Sequence, residues 1–181
     1  MSTKTEATIE DLYKVDGKAE LVNGEIVLMS PTGGKPSLAA RAVVLSLCEY
    51  ERRTKSGYAV TDNAAFKVNL PHRKSFSPDA AFYAGGEPTM KFFEGAPVFA
   101  AEVRSEGDYG PTPEKSMAEK RADYFAAGTQ VVWDVDLLSE TPVRVYRASD
   151  PDNPKVYRRG EVAEAEPALP GWTMPVDDLF V

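Results

Sequence analysis

The chain has 181 residues, a single cysteine, a single histidine and a net charge of −7. That length suits one domain with its own core, and 43% hydrophobic with 27% charged residues is the balance of a soluble globular protein. One cysteine excludes an internal disulfide and a cysteine-built zinc site, one histidine excludes a multi-histidine metal centre, and the acidic balance argues against tight nonspecific nucleic-acid binding by a monomer.

No run is apolar enough to span a bilayer, and residues Met1–Lys18 lack a basic-then-apolar leader. The expectation is a cytoplasmic protein whose metal, if it has one, is held by oxygens. Along the chain, Thr8–Tyr13 reads as a short capped helix. Glu20–Met29 reads as a β-hairpin with Asn23-Gly24 at its turn. Ser37 is expected to cap a helix from about Leu38 to Thr54, buried along Leu38, Ala42, Leu45 and Cys48 or Glu49, with Val43, Val44 and Leu47 widening that face and Gly57 as its stop. Tyr58–Thr61 and Ala65–Leu70 read as strands, and Pro71–Ser75 as a polar loop. Strands Asp79–Tyr83 and Pro97–Arg104 follow, separated by the Gly85-Gly86-Glu87-Pro88 loop. A helix from about Pro113 to Ala127 stops at Gly128. Val131–Asp136 and Val143–Arg147 read as paired strands. The tail holds Lys155–Arg158, the turn Leu169-Pro170-Gly171-Trp172 and a closing Leu179-Phe180. The sum is a single α/β domain over residues 1–181, a mixed sheet flanked by helices with an N-terminal β-hairpin.

The chemistry concentrates between Ser77 and Ser105. Pro78-Asp79 opens one apolar strand, and a second apolar strand ends in Glu102-Val103-Arg104. A hairpin-like return brings the two acids side by side. Mg²⁺ takes oxygen ligands and commonly keeps only one or two protein carboxylates. Arg104 falls on the same strand face as Glu102, since side chains alternate with period two. The bland reading stays open at each position. Asp79 and Glu102 read equally as solvated strand-end charges, although Glu102 ends an otherwise buried run, where a carboxylate needs a partner or a metal. Arg104 reads as a phosphate clamp or as the partner of a nearby acid. Lys120 shares a helix face with Tyr124 and reads as a site cation or as a surface lysine. Glu20 reads as a third acidic ligand or as an exposed strand-edge charge. His72 is expected to be solvated, Asp134 and Asp136 to lead into a turn, and Lys67, Arg73 and Lys74 to form a small basic cluster able to meet phosphates.

The ordered set Glu20-Leu21-Val22-Asn23-Gly24-Glu25, Pro78-Asp79, Pro97-Val98-Phe99-Ala100-Ala101-Glu102-Val103-Arg104-Ser105 and Lys120, Tyr124, Gly128, Trp133, Val135-Asp136 resembles the Uma2 family. The closing Leu169-Pro170-Gly171-Trp172 and Leu179-Phe180 fit its C-terminal signature. The resemblance covers about residue 8 to 181. It implies a restriction-endonuclease-like PD-(D/E)xK core with Mg²⁺ (or Mn²⁺) at the acidic strand ends. Asp79 then matches the motif aspartate, Glu102 the motif acid and Glu20 the N-terminal glutamate. Arg104 stands where the motif lysine would be, which is a departure, and Lys120 is a candidate migrated substitute. Pro36-Ser37 stand where many members carry a histidine. Two functions follow from the resemblance. One is an Mg²⁺-dependent endonuclease hydrolysing DNA phosphodiesters, with Asp79, Glu102, Arg104 and Lys120 catalytic and Asp79, Glu102 and Glu20 on the metal. The other is a catalytically degenerate module that binds nucleic acid or a protein partner. A homodimer is the expected assembly, with Leu169, Trp172, Leu179 and Phe180 either supplying its contacts or closing the chain's own core.

Overall fold

In the computed structural model, which describes residues 5–181, Thr8 starts helix α1 (Ile9–Leu12) with a capping box. The Asp11 amide donates to Thr8 Oγ1, and Asp11 Oδ2 accepts from the Thr8 amide at 3.0 Å, so each side chain satisfies an amide that the helix leaves free. Strands β1 (Ala19–Val22) and β2 (Glu25–Leu28) pair antiparallel about Asn23 and Gly24. Both turn residues have positive φ, 52° and 69°, as the tight hairpin turn requires.

Helix α2 runs Gly34–Thr54, starting four residues before the expected Leu38. Pro36 lies inside the first turn, where its missing N–H would have had no helical partner anyway. The expected buried face is centred differently: the widening positions Val43 and Leu47 form its middle, and Leu45 lies outside it. Ala39, Ala40, Val43, Leu47 and Tyr50 are buried, while Leu45 is 58% exposed. Arg41, Leu45 and Glu49 share the outer face at i, i+4, i+8, so the charged positions mark this helix's phase better than its many apolar ones. The helix ends at Lys55 in the left-handed conformation, φ 53°. Gly57 does a different job from the expected stop: a Cβ there would lie 2.3 Å from the Tyr83 carbonyl oxygen, so its lack of a side chain lets the next strands pack.

Strands β3 (Tyr58–Val60), β4 (Phe66–Lys67), β5 (Ser75–Phe76), β6 (Ala80–Tyr83), β7 (Phe93–Glu94) and β8 (Phe99–Val103) precede helix α3 (Pro111–Ala126). After it come β9 (Val131–Val135), β10 (Val143–Arg147), β11 (Asp150–Tyr157), β12 (Val162–Glu164), β13 (Thr173–Pro175) and a closing 3₁₀ turn, Val176–Leu179. Six strands form the central sheet in the order β11-β10-β9-β8-β6-β3. Only β8 and β9 run parallel, joined by α3 as the crossover, and the other neighbours are antiparallel. This is the mixed sheet flanked by helices that the sequence implies.

The alternation of β8 divides the molecule. Phe99, Ala101 and Val103 face α2 and the C-terminal tail, in one core with Trp133, Val135 and Trp172. Ala100 faces the opposite side with Val132, Phe76 and Tyr124. Leu169, Trp172 and Leu179 are at most 2% exposed, and the Trp172 ring lies 4.9 Å from that of Trp133. These tail residues therefore close the chain's own core and are not free to serve as dimer contacts. Pairings beyond the expectation include a three-stranded sheet in the order β5-β4-β7. β12 and β13 form a small antiparallel pair, and β11 extends the sheet edge through Pro151 and Pro154. Edge strands tolerate proline, because the side without a neighbour needs no ladder donor. Among the described residues, no helix is long and apolar enough to cross a membrane.

Candidate active site

The hairpin reaches the sheet through a backbone dock. Leu21 N donates to Ser75 Oγ at 2.8 Å, Lys74 N donates to Leu21 O at 2.9 Å, and Val22 bridges Arg73. Leu21 turns into a small apolar cluster with Leu12 and Ala19. Alternation then turns Glu20 the other way, into the space between β8 and α3. Glu20 is 3% exposed. Its Oε2 accepts from Arg73 at 2.6 Å, and its Oε1 accepts from the Ser77 amide at 2.8 Å and from Lys120 Nζ at 2.9 Å. Burial works against this charge, but Lys120 and Arg73 outweigh it and hold the carboxyl below its usual range.

Lys120 projects from the middle of α3 and donates at 2.8 Å to Glu102 Oε1. It therefore bridges two carboxylates instead of sitting on the surface, and only 16% of its side chain is exposed. Despite burial, Glu102 and Glu20 hold its ammonium above the usual lysine range. Tyr124, one turn further along, donates its hydroxyl to the same Glu102 oxygen at 2.6 Å, and its ring stacks on Phe76 at 4.0 Å. Burial, countered by Lys120 and reinforced by Asp79 and Glu20, keeps the Glu102 carboxyl above its usual range.

Asp79 lies just before β6, one residue outside the Ala80–Ala101 pair. Its Oδ2 accepts the Val103 amide at 2.8 Å across the strand end, which sets the carboxylate beside the Glu102–Val103 backbone. Its Oδ1 accepts from Lys18 Nζ at 2.8 Å, and Lys18 also reaches Asp62 at 2.6 Å. Although burial disfavours its charge, Asp79 and Asp62 hold Lys18 above its usual range. Lys18 is absent from the sequence expectations. Its signal was available: two residues before Glu20, it belongs to the same face of the hairpin. Lys18, Asp79, Glu102, Lys120 and Tyr124 all line one cleft of about 1330 Å³.

Arg104 also borders this cleft, but its guanidinium is committed elsewhere. Nε donates to Asp134 Oδ1 at 2.8 Å, an Nη donates to Asp134 Oδ2 at 2.7 Å, and Glu114 takes the remaining edge. Asp134 is 3% exposed, with Arg121 at 3.8 Å and Arg144 at 3.9 Å. It is the anchor of an ionic cluster under α3, and β9 runs to Val135 before the chain turns at Leu137-Leu138, as the sequence implies. Asp136 accepts the Tyr109 hydroxyl at 2.8 Å. Arg104→Ala would leave Asp134 buried without its two-point partner, and urea unfolding should show a loss of about 3 kcal/mol. Arg104→Lys should recover only part, because an ammonium cannot reproduce the planar fork.

The expected basic cluster is dispersed. Arg73 is 6% exposed and clamps Glu20 and Asp123, Lys67 pairs with Glu94, and Lys74 donates to Asn69 and the Leu70 carbonyl. Of the three, Arg73 is buried in its ion pairs, while Lys67 keeps 44% of its side chain exposed beside Glu94. His72 keeps half its surface exposed but lies 2.6 Å from Asp123 Oδ1, so it caps the same chain of charges.

Glu20 is thus placed as the anchor of Lys120 and Arg73, with its oxygens already engaged, while Asp79 and Glu102 line the cleft. Among the described residues, no group of three or more His, Cys, Asp or Glu side chains converges to hold a metal ion. Asp79 and Glu102 present hard oxygens to the cleft, with Lys18 and the Val103 amide on the Asp79 carboxylate and Lys120 and Tyr124 on one Glu102 oxygen. Hard oxygen donors at one cleft are what Mg²⁺ or Mn²⁺ takes, so the residues fit such an ion.

A family model, Uma2, described as "Putative restriction endonuclease", matches residues 7–177. Among solved structures, the chain is similar to a protein from Anabaena variabilis described as "a putative nuclease belonging to DUF820". The two share 19% identity with a TM-score of 0.73, over 96% of this chain and 97% of the other. At that identity the likeness shows the fold. No curated protein matches the chain.

Proposed function

This chain belongs to the Uma2 family, and we propose that it is a divalent-metal-dependent endonuclease that hydrolyses DNA phosphodiester bonds in the cleft between β8 and α3. The observation that carries the reading is Lys120 held between Glu20 and Glu102, beside the Asp79 carboxylate that receives the Val103 amide. Two carboxylates and a fixed ammonium meet at the rim of one cleft, with each charge positioned by a separate element.

In this reading Asp79 and Glu102 hold Mg²⁺ or Mn²⁺, which when bound neutralises phosphate charge and activates the attacking water. Lys120 supplies the second positive charge. Glu20 keeps its ammonium in place before substrate arrives, so little reorganisation is needed when charge develops on the phosphate. Because its partners hold Lys120 protonated, it stabilises charge and does not carry a proton. Tyr124 orients Glu102. Arg73, fixed by Asp123, keeps Glu20 ionised. Arg104 serves the site by bracing the end of β8 against Asp134 and α3. We place the activity in one domain spanning the chain and acting in the cytoplasm. A homodimer gives this acidic chain a longer grip on a duplex, and a light-scattering mass of 19.8 kDa at micromolar concentration would remove that part of the proposal.

Isothermal titration with Mn²⁺ tests the metal. Wild type is expected to bind, and Asp79→Ala to lose binding while keeping its circular dichroism spectrum. Equal binding by both proteins would remove Asp79 from the site.

A further inference from the structure

Lys18 stands at the metal position without a role in the reading above. Its Nζ lies 2.8 Å from Asp79 Oδ1 and 2.6 Å from Asp62 Oδ1. The other Asp79 oxygen is taken by the Val103 amide, so Oδ1 is the atom that Lys18 and a cation would contest. Exposure differs between the two acids: 21% of the Asp79 side chain is accessible against 49% of Asp62. The backbone at Lys18 is pinned, because its carbonyl accepts the Met29 amide at 2.9 Å. Only the side chain is free to move, and it already touches a second carboxylate.

We propose that Lys18 is a resident counter-ion that gates the site: its ammonium occupies Asp79 in the metal-free protein and withdraws onto Asp62 when a divalent cation binds. The inference rests on the metal reading above and adds its regulation. Two cations cannot share one carboxylate oxygen without strong mutual repulsion. Lys18 can leave Asp79 without becoming an unpaired, largely buried charge, because Asp62 retains it. The gate has a cost in affinity. When the binding-competent arrangement is a minor population, the apparent dissociation constant rises by the inverse of that fraction. A site whose competent fraction is about a tenth binds about tenfold more weakly than the same site without the competitor.

Titration calorimetry with Mn²⁺ alone tests this on the full chain. Lys18→Met should bind Mn²⁺ about tenfold more tightly than wild type, with Lys18→Gln as a second variant should the first fail to fold. Asp62→Asn should weaken binding in the wild-type background, because the withdrawn ammonium loses its second partner. In the Lys18→Met background the same change should have much less effect. This non-additivity separates the gate from a simple field, since a Lys18 that merely repels the cation would leave the Asp62→Asn effect equal in both backgrounds. Wild-type binding that Asp79→Ala abolishes but Lys18→Met does not tighten would overturn the gate and leave the metal reading standing. Absence of Mn²⁺ binding in both wild type and Lys18→Met would overturn both.

Discussion

Lys120→Ala should lower metal-dependent cleavage by about a hundredfold or more, the scale of removing one positioned electrostatic stabiliser. Lys120 bridges Glu20 and Glu102 at 2.9 and 2.8 Å, and the Tyr124 hydroxyl beside it holds the same Glu102 oxygen. The ammonium is thus aimed before any substrate is present. Lys120→Met, which keeps most of the volume without the charge, should behave like alanine in initial-rate measurements on supercoiled plasmid with Mn²⁺. Metal affinity should not fall with the rate, because in this account Lys120 is not a metal ligand and its loss removes a positive charge from beside Glu102. Arg104 cannot readily substitute, since the N–H edges of its guanidinium are committed to Asp134 and Glu114. Full activity in Lys120→Ala with its loss in Arg104→Ala would make Arg104 the working cation instead.

Arg73→Ala should destabilise the fold by about 3–5 kcal/mol, the range for breaking a buried ion pair from one side. Its guanidinium serves two nearly buried acids at once, Glu20 at 2.6 Å and Asp123 at 2.7 Å. Removing it strands both charges, and also frees the carboxylate that positions Lys120. Arg73→Lys should restore only part, for want of a second donor edge. The acid dependence of stability should change with it. Glu20 is held below its usual range, so in wild type its contribution is complete above the ordinary glutamate pKa and is lost as pH falls through the depressed folded value. Without Arg73 that acid-side slope should flatten. Glu102 has the opposite sign: held above its usual range, it lowers stability as pH rises from the ordinary glutamate pKa through its folded value. Urea denaturation between pH 3 and pH 8 would measure both, and a loss under about 1 kcal/mol in Arg73→Ala would show the clamp to be peripheral.

Much of this architecture was legible locally. Asn23-Gly24 announces its hairpin, Thr8 and Asp11 their capping box, and Gly128 the end of α3, because each signal acts within a few residues. The antiparallel return from Asp79 to Glu102 was also legible, since two apolar strands flank a glycine-rich loop. What was not legible depends on distant partners. Arg73 reads as a loop cation until Glu20, 53 residues away, and Asp123, 50 residues away, are brought against it. Asp134 reads as a strand residue near a turn, and its role as an ionic anchor shows only when Arg104, just past the neighbouring parallel strand, is brought against it. Lys18 acquires its place only through Asp62 and Asp79. Charge type alone cannot report burial, because a paired buried lysine and a solvated one look the same in sequence. The phase of α2 failed for a related reason: apolar residues occupy too much of its circumference, and Leu45 stands on the face that Arg41 and Glu49 present to water.

The reading stands or falls on cleavage. Wild type and Asp79→Asn should be incubated side by side with plasmid, linear duplex, single-stranded DNA and RNA, with Mn²⁺ and with chelator. The account predicts that wild type with Mn²⁺ nicks or cuts the DNA, that chelator stops it, and that Asp79→Asn is inactive with its fold intact. Wild type that cleaves none of these substrates with Mn²⁺, or Asp79→Asn that cleaves as well as wild type, would contradict it. In the first case a binding module on a nuclease fold becomes the better description.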